Sequence, residues 1–285
     1  MLSLLAAAAL ATPGSALASE PLRIDFIDVG QGDAVLVTSP AGKTVLVDAG
    51  PRRAAAAVTT FLAAHVHAPL DLLVLSHRHE DHVGGMPRVV REIGARQFMD
   101  AVVPHQSGAY AALMRELDAR GITARRATRG RVVDLGGGAQ MTLIGPPEPA
   151  IHGSRSDVNA NSVIIRLTFG AFAALFTGDA EAPTETWLLQ SGTPLRASVL
   201  KVAHHGSQYS SGAMFLDAVD AKIAVVSVGR RNDYGHPAEE TLARLSAHGA
   251  SVFRTDTEGE VSIETDGTSI QVRTAHGRKE TFPTP

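Results

Sequence analysis

Apolar and polar side chains alternate through "LRIDFIDVG", and two further apolar runs, "AVLVTSP" and "TVLVDAG", are separated from it and from each other by the turn sequences "GQGD" and "PAGK". Alternation with period two between Gly- and Pro-bearing turns predicts successive antiparallel strands. The period then changes. "PRRAAAAVTTFLAAHVH" has helical spacing, whereas "LDLLVLSH" is a short continuous aliphatic run of the kind a strand buried on both faces shows. "GGMPRVVREIG" predicts a helix with Pro87 in its first turn, and "GAYAALMRELDARG" an amphipathic helix closed by Gly121. The second half repeats this texture. "GAQMTLIGPP", "NSVIIRLTFG", "FAALFTGD" and "SVLKVAHHGS" predict strands, and so do "AKIAVVSVG", "SVFRTD" and "EVSIETDG". Helices are expected over residues 183–190, around 212–219, and in "AEETLARLSAHG", which Gly249 terminates. With no low-complexity linker after residue 20, the pattern predicts one domain over residues 22–282, built of two similar halves.

Chemically active residues gather where the predicted strands end. "SHRHEDH" follows a buried strand and holds His77, His79, Asp81 and His82. On an extended turn, residues two apart point to the same side, so His77 and His79 can grip one ion. Asp81 and His82 turn away and can serve a neighbouring ion. Two adjacent ions bridged by a hydroxide make a hydrolytic site: one polarises the scissile oxygen, and bound water becomes nucleophilic near neutral pH. His65 and His67 have the same spacing, but on a predicted helix such positions do not face one another, and they are read as surface. Further ligand types stand at other strand ends: Asp179, aimed by the turn at Gly178, and the pair His204 and His205.

Composition narrows the chemistry. The 285 residues are 44% hydrophobic and 19% charged, with a formal net charge of −3, so no global positive field points to nucleic acid or an anionic membrane. Cysteine is absent, which excludes disulfides and thiolate ligation and leaves His, Asp, Glu and Asn as the strong metal donors. The N-terminal "MLSLLAAAALATPGSALASE" combines an apolar run, a Pro-Gly break and the small-residue site Ala16-Leu17-Ala18, so residues 1–18 are read as a secretory signal, although no Lys or Arg precedes the apolar run. The expectation is export to the periplasm or the cell exterior, with no membrane insertion after cleavage.

In order and spacing, "DVGQGDAVLVTSPAGKTVLVDAG", "LVLSHRHEDHVGG", "NANSVIIRLTFGAFAALFTGD", "VLKVAHHGSQYSS" and "VVSVGRRNDYGHP" resemble the metallo-β-lactamase-fold domain of the ComEC competence proteins and its free-standing relatives, from residue 22 to about 267. The resemblance implies an α/β fold, a four-layer αβ/βα sandwich of two mixed β-sheets flanked by helices, with two divalent ions, zinc or manganese, in a cleft at the strand ends. It makes His77 and His79 ligands of the first ion, Asp81 and His82 ligands of the second, and Asp179 the bridge. His204 is preferred over His205 to complete the second ion, on the "HHGS" pattern read from its first histidine. His205 then contacts the substrate phosphate or protonates the leaving group, and Asp48 orients a ligand from behind.

Two departures bear on the ligand set. Many ComEC domains carry Asp where this chain has His79. The histidine expected before the "GD" strand is missing, and the matching region reads Asp157-Val158-Asn159-Ala160-Asn161-Ser162. Asn159 or Asn161 could supply an oxygen there, which would favour manganese; His152, in a Gly/Ser loop, is read as exposed. Asn232, Tyr234 and His236 of "NDYGHP" and Ser207 and Ser210 beside the double histidine are candidate substrate contacts, with an ordinary turn and a helix cap as the alternatives. "RGITARRATRGR" holds five arginines and is read as a solvated strand and loop face that could also track a nucleic-acid backbone. The expected activity is phosphodiester hydrolysis, with Asp81, His205 and His236 as catalytic residues and single-stranded DNA among the possible substrates. The alternatives are a β-lactam, lactone or phosphorylcholine ester as substrate, and a non-catalytic DNA-binding module with a degraded metal site.

Overall fold

The computed structural model describes residues 20–284, so the expected signal segment lies outside the described residues. Among the described residues sixteen strands form two sheets. The first half of the chain supplies β1 (Leu22–Phe26), β2 (Val35–Thr38), β3 (Thr44–Val47), β4 (Leu72–Leu75), β5 (Gln97–Asp100) and β6 (Thr123–Arg126). The second supplies β7 (Val132–Gly136), β8 (Ala139–Leu143), β9 (Ile165–Phe169), β10 (Phe172–Phe176), β11 (Val199–Lys201), β12 (Ile223–Val226) and β13 (Ser251–Arg254). The last three strands, β14 (Val261–Thr265), β15 (Ser269–Thr274) and β16 (Lys279–Pro283), return to the first sheet.

The first sheet has the order β16-β15-β14-β1-β2-β3-β4-β5-β6 and the second β13-β12-β11-β10-β9-β8-β7. Both are mixed. In the first, β1, β2 and β3 pair antiparallel and β3, β4, β5 and β6 run parallel. In the second, β10 to β13 are parallel and β7 to β10 antiparallel. Inward-facing residues of the two sheets share one core, in which Ile24, Val37, Val45 and Val74 join Leu143, Leu167, Val199 and Val225. Phe26 and Phe176 meet across it with ring centroids 6.3 Å apart.

Helices α1 (Ala55–His65), α2 (Glu80–Val83), α3 (Met86–Glu92) and α4 (Gly108–Ala119) follow in the first half. Of these, α1, α3 and α4 cover the outer face of the first sheet through Val58, Leu62, Val89, Leu113 and Leu117. The second sheet is covered by α6 (Ala182–Gln190), α7 (Ala213–Val219) and α8 (Glu239–Ala247), packed through Leu188, Phe215, Leu216 and Leu245, and the short α5 (Asp157–Ala160) precedes them in the chain. The four layers are those the resemblance implies. Among the described residues no helix is long and apolar enough to cross a membrane.

The arginine-rich stretch contributes β6, an edge strand whose four residues are all exposed. Charge on an edge discourages pairing with other chains. Because both of its faces meet water, β6 lacks the apolar alternation that marks the inner strands.

Candidate metal centre

Parallel strands in both sheets end at one cleft, as open α/β sheets place their sites. Strand β4 is buried throughout, and the turn after it carries Ser76, His77 and His79 before α2 brings Asp81 and His82. Two glycines let this turn dock against the end of β3: Gly85 N donates to Gly50 O at 2.9 Å and Ala49 N donates to His82 O at 2.9 Å. A Cβ at Gly85 would run into the carbonyl oxygen of Ala49.

That docking places Asp48 behind the histidines. Its carboxylate accepts from Ser76 N at 2.7 Å and Ser76 Oγ at 2.6 Å, and it lies 2.8 Å from His82 Nδ1. Ser76 Oγ also lies 3.0 Å from His77 Nδ1, so Asp48 holds His82 directly and His77 through the serine. With both Nδ1 atoms engaged, both Nε2 atoms are left for the cleft. His77 Nε2 is 3.1 Å from His79 Nδ1, and tetrahedral donors about 2.05 Å from one zinc ion lie about 3.3 Å apart. Arg78, between these histidines, is anchored on Asp100 at 2.8 Å and on the Tyr110 hydroxyl at 2.9 Å, which fixes the turn from the side.

Asp179 reaches the same place from β10 through Gly178, whose φ of +51° is the left-handed region that suits glycine. Its Oδ2 stands 3.5 Å from His77 Nε2, 3.3 Å from His82 Nε2 and 3.7 Å from His205 Nε2. Among the described residues three groups of mutually close donor atoms result: His77, His79 and Asp179; Asp81, His82, Asp179 and His205; and, behind them, Asp33, Asp48 and His82; the first two open on the cleft. Asp179 belongs to both of the groups at the cleft.

The double histidine is arranged the other way round from the preference that the "HHGS" resemblance implied. His205 stands in the second group and His204 does not. Consecutive left-handed conformations, φ 49° at His204 and 54° at His205, swing the rings to different sides. His205 Nδ1 faces Ser227 O at 2.9 Å, and its Nε2 lies 3.2 Å from Asp81 Oδ2. His204 turns to the cleft wall, with Nδ1 3.0 Å from Glu181 Oε1.

Beneath these donor groups lie charges that were not singled out from the sequence. Lys201 is 2% exposed, forms an ion pair with Asp33 and donates to Gly178 O at 3.0 Å. Asp33, from the "GQGD" turn, lies 3.5 Å from His205 Nδ1 and 3.6 Å from His82 Nδ1. A lysine inside the apolar strand "SVLKVAH" was the available signal, since a buried ammonium demands a counter-charge. Burial would lower the Lys201 pKa, but the carboxylates of Asp33 and Asp179 outweigh it and raise it.

The histidines divide electrostatically. Burial, reinforced by neighbouring His82, drives His77 well below the ordinary histidine value, and burial likewise lowers His79. Burial also opposes charge on His82 and His205, yet Asp179 with Asp81 and Asp48 raises His82 well above its ordinary value, and Asp179 with Asp33 raises His205 to about 10. Asp179 is held well below the usual carboxylate range because His82, His205 and His77 outweigh its burial.

The remaining candidates separate by how their polar atoms are used. Asn159 is buried, lines the cleft, and its Oδ1 has no hydrogen-bond partner. Asn161 is spent on the backbone: its Oδ1 accepts from Ile151 N and its Nδ2 donates to Ile151 O and Asp157 O, so it staples a loop instead of facing the site. Asn232 is likewise saturated by Gly229 O, His236 O, Tyr234 N and His236 N. Ser207 is buried and accepts from Tyr209 N, while Ser210 Oγ donates to Ala203 O; both close the local turn. Tyr234, 71% exposed, and His236 stack with centroids 5.8 Å apart at the rim of the cleft, which measures about 310 Å³. Burial and the neighbouring His204 and His205 lower His236 to about 4. His152, in its loop, is exposed.

Cations fit the inner groups. His82 Nε2 and Asp179 Oδ1 are buried without a hydrogen-bond partner, which buried polar atoms rarely are. Imidazole nitrogens and carboxylate oxygens converging without thiolates suit zinc, manganese or a similar divalent ion.

A family model described as the metallo-beta-lactamase superfamily matches residues 27–230. The chain belongs to this superfamily. Among curated proteins it is 28% identical to ComE operon protein 3 of Bacillus subtilis over 84% of this chain, and 34% identical to competence protein ComA of Neisseria gonorrhoeae over 81%. It spans only about a third of either relative, 32% and 30% of their lengths. Among solved structures, the metallo-beta-lactamase fold protein YhfI from Bacillus subtilis superposes with a TM-score of 0.54 at 16% identity, covering 82% of this chain and 96% of that one, a likeness of fold.

Proposed function

We propose that this metallo-β-lactamase-superfamily chain is a metal-dependent phosphodiesterase whose substrates include single-stranded DNA. The observation that carries the reading is Asp179, one buried carboxylate shared by two groups of donor atoms at the floor of an open cleft. His77, His79 and Asp179 would hold one ion, with the unpartnered Oδ1 of Asn159 as a further oxygen donor, and Asp81, His82, Asp179 and His205 would hold the second. When bound, two divalent ions, zinc or manganese, polarise a phosphoryl oxygen and lower the pKa of water toward neutrality.

The chain's own residues do the positioning. Asp48 fixes His77 and His82, Lys201 and Asp33 brace the floor, and Asp81, with its side chain 29% exposed, is the ligand carboxylate that looks into the cleft. His236 is neutral near pH 7 and stands at the rim with Tyr234, where a phosphate or sugar of the substrate would pass. The likeness to relatives named for competence supports a DNA phosphodiester over a β-lactam or lactone. The apolar N-terminal segment supports export, with residues 1–18 removed.

A substrate panel tests the reading. Metal-loaded protein is expected to hydrolyse bis-p-nitrophenyl phosphate and single-stranded DNA and to leave nitrocefin intact. Nitrocefin turnover without phosphodiester turnover would reverse the assignment. DNA binding with no bound metal and no turnover would make the chain a binding module.

A further inference from the structure

Two carboxylates leave β10 two residues apart, Asp179 and Glu181, and two histidines leave β11 side by side. His205 and Asp179 belong to the ligand groups, which leaves His204 and Glu181 without a role there. Their geometry is nonetheless specific. Glu181 is 4% exposed, although nothing about its place at the start of α6 requires a buried carboxylate. His204 Nδ1 and Glu181 Oε1 face each other at 3.0 Å, an ion-pair distance, and both atoms are buried without a hydrogen-bond partner. The Arg155 guanidinium, 3.8 Å from Glu181 Oε1 and stacked over the Tyr209 ring at 3.9 Å, closes the outer side of the carboxylate.

A buried carboxylate 3.0 Å from Nδ1 limits how the imidazole can turn and offers that nitrogen an acceptor. Nε2 is then the working atom. It points to the cleft, 3.8 Å from Asp179 Oδ2, so it sits beside the donor groups without joining them. His204 lines both the metal cleft and the adjoining cavity of about 640 Å³ that runs past Arg155 and Tyr209. A diester seated at the metal centre with one arm in the larger cavity would carry its ester oxygen past this nitrogen.

We propose that His204, oriented by Glu181, is the proton donor to the leaving alcohol of the phosphodiester, an assignment that rests on the phosphodiesterase reading. A water oxygen forms the new P–O bond. The bond from phosphorus to the leaving alcohol breaks with its electron pair staying on the alcohol oxygen, which takes the proton from His204 Nε2. The proton lost by the water returns to solvent, from which His204 is recharged. Glu181 acts through His204 and is a positioning residue.

The leaving group supplies the test, because an alkoxide needs protonation far more than p-nitrophenolate does. Wild type, His204→Gln and Glu181→Gln, metal-loaded, would be compared on a dinucleoside monophosphate and on bis-p-nitrophenyl phosphate, with bound metal measured on each preparation. His204→Gln is expected to lose roughly a hundredfold or more on the dinucleoside substrate, and at least about tenfold less than that on the nitrophenyl ester. Glu181→Gln should show the same split at smaller size, and both should keep the wild-type metal content. Equal losses on the two substrates, no loss on either, or loss of a metal equivalent in His204→Gln would overturn the assignment. A wild-type protein inert toward both substrates would remove the phosphodiesterase reading itself, and this assignment with it.

Discussion

Asp179→Asn is expected to cut phosphodiester turnover by on the order of a thousandfold or more while leaving the fold in place. The substitution keeps the size of the side chain and removes its charge. Asp179 is common to both groups of donors and is the first charge to raise the pKa of His82 and His205 against their burial. An amide shared between the two sites binds cations weakly, and its NH₂ would face imidazole nitrogens already 3.3 to 3.5 Å away. Bound metal should fall together with turnover. The core between the sheets does not include Asp179, so the secondary structure should survive, as circular dichroism would show. Wild-type turnover in this variant would remove the bridging role.

The second large effect is on stability. Lys201→Met should destabilise the protein by about 3–5 kcal/mol, because removing one partner of a buried pair leaves an uncompensated charge. Here that charge is Asp33, 2% exposed. For a chain of this size the melting temperature would fall by roughly 6–20 °C. Adding Asp33→Asn should recover much of the loss, since the double variant buries no lone charge. A single variant as stable as wild type, read by thermal unfolding, would show that the ion pair has no such part in the fold.

Much of this architecture was legible in the alternation of apolar residues. Strands β1 to β4 and β8 to β14 have an apolar face against the core or are buried throughout, and that burial writes itself into the sequence. Strand β6 does not, because it is an exposed edge. At the site, the spacing His77-x-His79-x-Asp81-His82 was informative because a turn after a buried strand has few ways to arrange it. Asp179 was informative because Gly178 permits the sharp turn that aims it.

What stayed hidden depended on torsions and on partners distant in the chain. The order of His204 and His205 is set by two successive left-handed residues, which spacing does not reveal. Asn161 and Asn232 are of the right chemical type, but backbone groups engage both the oxygen and the NH₂ of each amide. Asp33 and Lys201 lie far apart in sequence, so each looks ordinary until β11 is seen to bury the lysine. Glu181 resembles any acidic residue at the start of a helix until His204 is found facing it.

The central claim is that two groups of donors sharing Asp179 form a two-ion site to which His205 belongs and His204 does not. Elemental analysis of the full chain, purified with zinc or manganese offered, tests it most directly when wild type, His205→Gln and His204→Gln are measured side by side. The account predicts two metal equivalents in the wild type, the loss of about one in His205→Gln, and none lost in His204→Gln. A wild-type stoichiometry near zero, or loss from His204→Gln with none from His205→Gln, would contradict it.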